Sequence, residues 1–236
     1  CIRDSIMRIV INEQKINRNR KIGQVLTIAS LVILGIGLFV SFSKPELFYV
    51  TLGSLIIGFI LSQFGIYYGN RWGRSPRPDE EISSALKGLD DRYSLYHYTT
   101  DVPHLLVGPA GIWVISPYNQ NGDISYNAEK QRWVQKGGNW YMKTFAQEGL
   151  GRPDLDAKDL LSTSEKYFRK VLKDDAPVPP IQVVMVFTHK KVSVSALNAP
   201  IPTMEIAKFK DFIRKQSKEN SLPLSEINRL QDALPD

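Results

Sequence analysis

One cysteine, Cys1, stands in 236 residues. That excludes an intrachain disulfide or a cysteine-based metal cluster and suits a reducing compartment. The three histidines, His97, His104 and His189, fall on separate strands or strand ends with no i, i+4 pair, so packing or surface roles suit them better than metal ligation. No glycine-rich phosphate loop occurs, because "GPAG" (108–111) is a strand turn without the lysine and helix that would follow. No serine or cysteine nucleophile motif stands out. The most consequential absence is charge: residues 22–42, "IGQVLTIASLVILGIGLFVSF", have none, and neither do residues 47–70, "LFYVTLGSLIIGFILSQFGIYYGN".

Each uncharged stretch is long enough to cross the ~30 Å hydrocarbon layer as a helix. The alternative is a pair of buried core helices, but soluble helices of this length normally keep a polar face, and these have none. Only "SKPE" separates them, so they form an antiparallel hairpin. Without an ionisable residue in either span, transport or proton relay by this chain alone is not expected. Lys15, Arg18, Arg20 and Lys21 precede the first span, while Arg71, Arg74 and Arg77 follow the second. By the positive-inside rule both outer ends are cytoplasmic, which predicts an inner (cytoplasmic) membrane protein with both termini and the soluble part inside. In the second span Ser54, Gly58, Ser62, Gly65 and Gly69 form a stripe of small residues that lets another helix approach closely; the first span is the nearest partner and an outside subunit the second.

The net charge of +6 belongs to these flanks, leaving about −1 for residues 79–236. Nucleic-acid binding by the soluble part is therefore not favoured. A chain that opens on Cys suits a processed lipoprotein, yet that anchor would lie outside the cell, against the adjacent basic run. A numbering that begins partway into the gene product fits better. Within residues 1–21, Ile2, Ile6, Ile9, Val10, Glu13 and Ile16 recur near helical spacing with Arg3, Arg8, Asn12 and Lys15 between them. This predicts an amphipathic helix lying on the inner leaflet or docked on a partner, or else packed on the protein's own soluble domain.

Residues 71–78 form a Pro- and Arg-rich linker. A helix begins near Asp79, with acidic residues in its first turn and Ile82, Ala85, Leu86 and Leu89 on one face. "YSLYHYT", "HLLVGP" and "GIWVISP" are strands, and "GDISYNAEKQRWVQKG" holds two more around Ala128 and Glu129. Leu155, Leu160, Leu161, Tyr167, Phe168 and Leu172 share one face of a long helix, "IQVVMVFTH" is a strand buried on both faces, and helices follow at 204–217 and 222–234. Together these predict a three-layer α/β domain with a mixed sheet over 79–236. Trp113, Trp133, Trp140 and the tyrosines at 93–98 lie in apolar strands, which favours core over base stacking.

The runs "DVPHLLVGPAGIWVISPYNQNGDI", "GRPDLDAKDLLSTSEKYFRKVL" and "VVMVFTH" resemble the nuclease-related domain (NERD) family, a branch of the PD-(D/E)xK nuclease-like fold, over residues 79–215. Membrane spans beside such domains are familiar in that family, and the hairpin lies outside the domain. An intact member has an acid on its first helix, an Asp before the His of the second strand, and Glu-x-Lys on the third. Two carboxylates hold a divalent cation that activates water, while the lysine positions or stabilises the nucleophile. Carried onto this chain, the Asp position is Pro103, the Glu position Ser116 and the Lys position Tyr118, and only the first-helix acid has candidates, Asp79, Glu80 and Glu81. Gly108, Pro109, Gly111 and Gly122 match the framework without a gap.

The resemblance thus implies a pseudo-nuclease with no cofactor and no metal. Asp101 shares a strand face with the lost Asp if that strand is regular, and Asp123 follows the active-site strand; neither replaces the lysine, and ordinary turn capping accounts for both. The expectation is a non-catalytic accessory, scaffold or assembly subunit of a larger membrane complex. Its partners are membrane lipid and other membrane subunits, met through the hairpin and N-terminal helix. The alternatives are a membrane-tethered nucleic-acid-binding protein or a divalent-metal nuclease with a rearranged site.

Overall fold

The computed structural model describes residues 6–137, 149–172 and 177–235. It is a mixed α/β structure with a mixed sheet and two long apolar helices near the N-terminus. Trp140 lies outside the described residues, as do Cys1, Ile2 and Arg3. The chain divides into two compact units, Glu13–Arg77 and the remainder on both sides of it.

In the first unit, α1 (Glu13–Ser43) and α2 (Phe48–Tyr68) join through a 3₁₀ turn at Pro45–Leu47, and α2 runs into a wider π-helical turn at Gly69–Gly73. At 1.5 Å per residue α2 alone spans about 30 Å. α1 begins well before the apolar run, so Lys15, Arg18, Arg20 and Lys21 ride on the same helix. Between Arg71 and Arg77 only the far half is an irregular linker, because Trp72 is folded into the π-helical turn and buried.

α1 is the helix that packs on the small-residue stripe. A Cβ added at Gly58 would lie 2.6 Å from Leu34, one at Gly65 would lie 2.6 Å from the Thr27 hydroxyl, and one at Gly23 would lie 2.8 Å from Tyr68. Gly37 faces Ser54 in the same way. Position numbers fall on one helix as they rise on the other, so the packing is antiparallel. The hydroxyls do not bridge the helices: Thr27, Ser30, Ser54 and Ser62 each donate to a carbonyl of their own helix. Facing outward are apolar side chains such as Phe39, Phe42 and Tyr49, which are 71%, 80% and 85% exposed. A surface of that kind is unsuited to water, and both helices are candidate membrane spans.

The second unit opens on β1 (Arg8–Ile11), which pairs in parallel with β2 (Ser94–His97). The amphipathic helix expected over residues 1–21 is therefore corrected, among the described residues 6–21, to a strand followed by the start of α1. Ile9, Val10 and Ile11 are three successive β-branched residues, which favour extended backbone, and a free sheet edge supplies their hydrogen bonds. The apparent helical spacing joined residues of a strand to residues of a helix. It follows that the domain expected at 79–236 lacks one of its strands, and that the hairpin is an insertion between β1 and β2 and not a segment that precedes the domain.

The main sheet has six strands in the order β1, β2, β3 (His104–Gly108), β4 (Gly111–Tyr118), β7 (Ile181–Phe187) and β9 (Thr203–Glu205). β2, β3 and β4 run antiparallel in succession, while the β4, β7 and β9 pairings are parallel. Strand alternation sends Leu95, Leu106, Trp113, Ile115, Val184 and Val186 to one face. There they meet α3 (Pro78–Leu86) and α5 (Ile206–Glu219) through Ile82, Leu86, Phe209 and Ile213. Leu105, Val107, Ile112, Val114 and Val183 point to the other face, against Phe168 of α4 (Pro153–Val171) and Leu230 of α6 (Leu224–Asp232). A smaller sheet, β6 (Arg132–Lys136), β5 (Gly122–Asn127) and β8 (Val192–Ser195), buries Ile124 and Trp133 against Met185 and Phe187. Gly122 opens β5 at φ +90°, where a Cβ would run into the Lys136 carbonyl, so only glycine fits.

Candidate functional site

β4 runs further than β3. Its last residues, Ser116, Pro117 and Tyr118, keep β7 as a partner, opposite Met185, Val186 and Phe187. Pro117, with no N–H, is tolerated because β4 has lost its neighbour on one side there. Ser116 and Tyr118 alternate with Ile115 and Pro117 onto the sheet face that α4 covers, whereas Pro103 lies in the loop just before β3 and outside the β3–β4 pairing.

Their chemistry is that of a closed contact. The Tyr118 ring stacks on Phe187 with centroids 5.4 Å apart, and its hydroxyl donates to Asp156 Oδ2 at 3.1 Å. Burial first, and then the Asp156 charge, push the phenol well above its usual range, with the Ser116 hydroxyl acting the other way. A phenol held neutral in this manner is a hydrogen-bond donor and a packing surface. It is not an ammonium, and Ser116 brings no carboxylate.

The remaining acids are elsewhere. Asp79, Glu80 and Glu81 sit in the first turn of α3, on the opposite sheet face from Ser116 and Tyr118; Asp79 is fully buried and Glu80 exposed. Asp101 is not on a strand. Residues 98–103 bend, with Tyr98 at φ +60°, and the Tyr98 amide donates to the Pro103 carbonyl at 2.8 Å before β3 begins at His104. The strand-face expectation for Asp101 therefore fails because Pro103 sits in a loop that the strand never enters. Asp101's charge reaches Tyr167 on α4, whose phenol is raised by burial first and by Asp101 second. Asp123 is an exposed β5 residue opposite Lys136. Among the described residues no three His, Cys, Asp or Glu side chains are placed to share a metal ion.

Two of the histidines are joined in the fold. The β2–β3 register pairs His97 with His104, both buried, with their Nδ1 atoms 2.8 Å apart. At that distance one Nδ1 carries the proton and the other accepts it. Ser83 on α3 lies 2.9 Å from His97 Nε2, and the Tyr98 ring meets His104 edge-on. Sequence reading missed this chain of polar contacts, although its signal was present: two strands flanking one short loop, each with a histidine at the loop end. Asp156 was missed for lack of any such signal, since 38 residues separate it from Tyr118. Trp113 and Trp133 are buried, Trp113 donating to the Ala110 carbonyl, and His189 accepts the Lys191 amide at the surface.

No family model, curated protein or solved structure matches the chain.

Proposed function

We propose that this chain is a membrane-anchored, non-catalytic protein with a degenerate nuclease-like fold of the NERD kind, acting as an accessory, scaffold or assembly subunit of a larger membrane complex. The observation that supports it most is the occupancy of the positions where such a fold would keep its metal carboxylates and lysine. Pro103 closes a loop, Ser116 carries no carboxylate, and Tyr118 is stacked on Phe187 and tied to Asp156. Metal-assisted hydrolysis needs charged groups at those three places. Packing has taken them over.

The spans hold the soluble unit at the cytoplasmic face of the inner membrane, with Lys15, Arg18, Arg20 and Lys21 on one side and Arg71, Arg74 and Arg77 on the other as the inward anchors. Membrane lipid and further membrane subunits are its partners. Gentle detergent extraction from native membranes, affinity capture on this chain and mass spectrometry of the co-purifying proteins tests the proposal. A stoichiometric set of membrane subunits is expected; recovery of the chain alone or with nucleic acid overturns it. In a parallel assay the purified chain leaves DNA and RNA intact in magnesium, and cleavage lost on Asp101→Ala would reveal a migrated site.

A further inference from the structure

At its basic end the hairpin opens into a cleft of about 580 Å³, lined by Arg20, Gly23, Gln24 and Thr27 of α1 and by Gly65, Gly69, Gly73 and Arg74 of the second half of the hairpin. Gly23 and Gly65 draw the two helices together, since a Cβ at either would clash. Gly69 and Gly73 do the opposite: a Cβ there would meet nothing within 4 Å, so the bare backbone leaves room in the cleft. Arg20 is among the last charged residues before the apolar run of α1, and Tyr67, Tyr68 and Trp72 cluster at the same end of α2, with the Arg71 guanidinium 5.1 Å from the Trp72 ring centre. Amphipathic rings and arginines at the limit of an apolar span mark headgroup depth.

We infer that this cleft binds one anionic glycerophospholipid, its phosphate between Arg20 and Arg74 and the start of an acyl chain along Ile28 and the glycine backbone. Two cations suit a phosphate; the mostly apolar remainder of the lining suits the lipid that carries it rather than a free anion. The inference rests on the hairpin spanning a membrane. Basic pockets between membrane helices are a general means of holding such headgroups, and each arginine near the surface contributes about a fivefold preference.

The test uses the full chain in detergent, offered phosphatidylglycerol or phosphatidylcholine with the same acyl chains, and native mass spectrometry to count retained lipid. One phosphatidylglycerol is expected per chain in preference to phosphatidylcholine. Arg20→Gln lowers its retention by about fivefold. Gly69→Leu, which fills the cleft without changing charge, removes it. Arg18→Gln, the same charge change outside the cleft, and Gly53→Leu, a glycine with equally open surroundings, leave it unchanged. If Arg18→Gln matches Arg20→Gln, or Gly69→Leu keeps its lipid, the site is overturned in favour of diffuse surface attraction. Displacement of the lipid by glycerol 3-phosphate overturns it in favour of a soluble phosphate ligand. An alkaline carbonate wash of the source membranes separates the two levels: release of the chain defeats the membrane reading itself, whereas a retained chain with no lipid preference defeats the cleft alone.

Discussion

Tyr118 ties two elements together with one side chain. Its hydroxyl bridges β4 to α4 through Asp156, and its ring extends the core under the small sheet. Tyr118→Phe keeps the stack and removes the bridge, so a loss of about 1 kcal/mol is expected from the denaturant midpoint of the α/β unit. The same phenol governs alkaline stability. Because its proton is held more tightly in the folded state than in the unfolded chain, the associated stability is complete below about pH 10 and declines as pH rises above it. Tyr93 and Tyr167 are raised by burial too, so Tyr118→Phe should flatten, without abolishing, the fall in midpoint as pH rises above about 10. The His97–His104 contact is a buried bond on the opposite face. A double-mutant cycle with His97→Phe and His104→Phe should give a coupling of about 1–3 kcal/mol; additive single effects would show the 2.8 Å contact to be energetically idle.

At the scale of elements, β1 alters what counts as the domain. β2 is buried at all four positions, and without β1 it would present an unpaired edge, the usual template for association between chains. A protein starting at Pro78 should therefore self-associate on size exclusion. Joining residues 6–12 to Pro78 through a short flexible linker in place of the hairpin should restore a monomer. The Arg77–Glu13 ion pair at 3.8 Å shows that the two ends to be joined are close. In the hairpin, Gly65 tests helix packing well, because an added side chain there meets both the Thr27 hydroxyl and its backbone, which cannot swing aside. Gly65→Leu should force the helices apart at a cost of about 1–3 kcal/mol, read as lost cross-linking between cysteines placed at positions 30 and 61. Gly53→Leu, with open space around it, should leave the cross-link intact.

Across the whole molecule, the two ends of the hairpin enter the same folded unit, one through β1 and the other through α3. The hairpin is inserted between two adjacent parallel strands, so removing it together with β1 would open the sheet edge, and the chain path links the hairpin to the folding of the α/β unit. Limited proteolysis should leave β1 associated with the rest of the α/β unit even when the connection at residues 74–77 is cut, and its release would contradict the β1–β2 pairing.

Long uncharged runs needed no tertiary context to be recognised, because the free energy of burying so many apolar residues depends on composition and length alone. Most strands and helices were legible for a related reason: Ile112 to Ile115 form a continuous apolar run, the pattern of a strand buried on both faces, and Leu160, Leu161 and Phe168 recur with the helical turn, so local pattern already marks what is buried. Only the tertiary structure could decide what residues 8–11 become, since a short apolar segment takes the conformation its hydrogen-bonding neighbour offers, and that neighbour, β2, lies more than eighty residues away along the chain. The same holds for Tyr118 with Asp156 and for His97 with His104. A contact between distant residues is set by sheet register and helix placement, and sequence spacing carries neither.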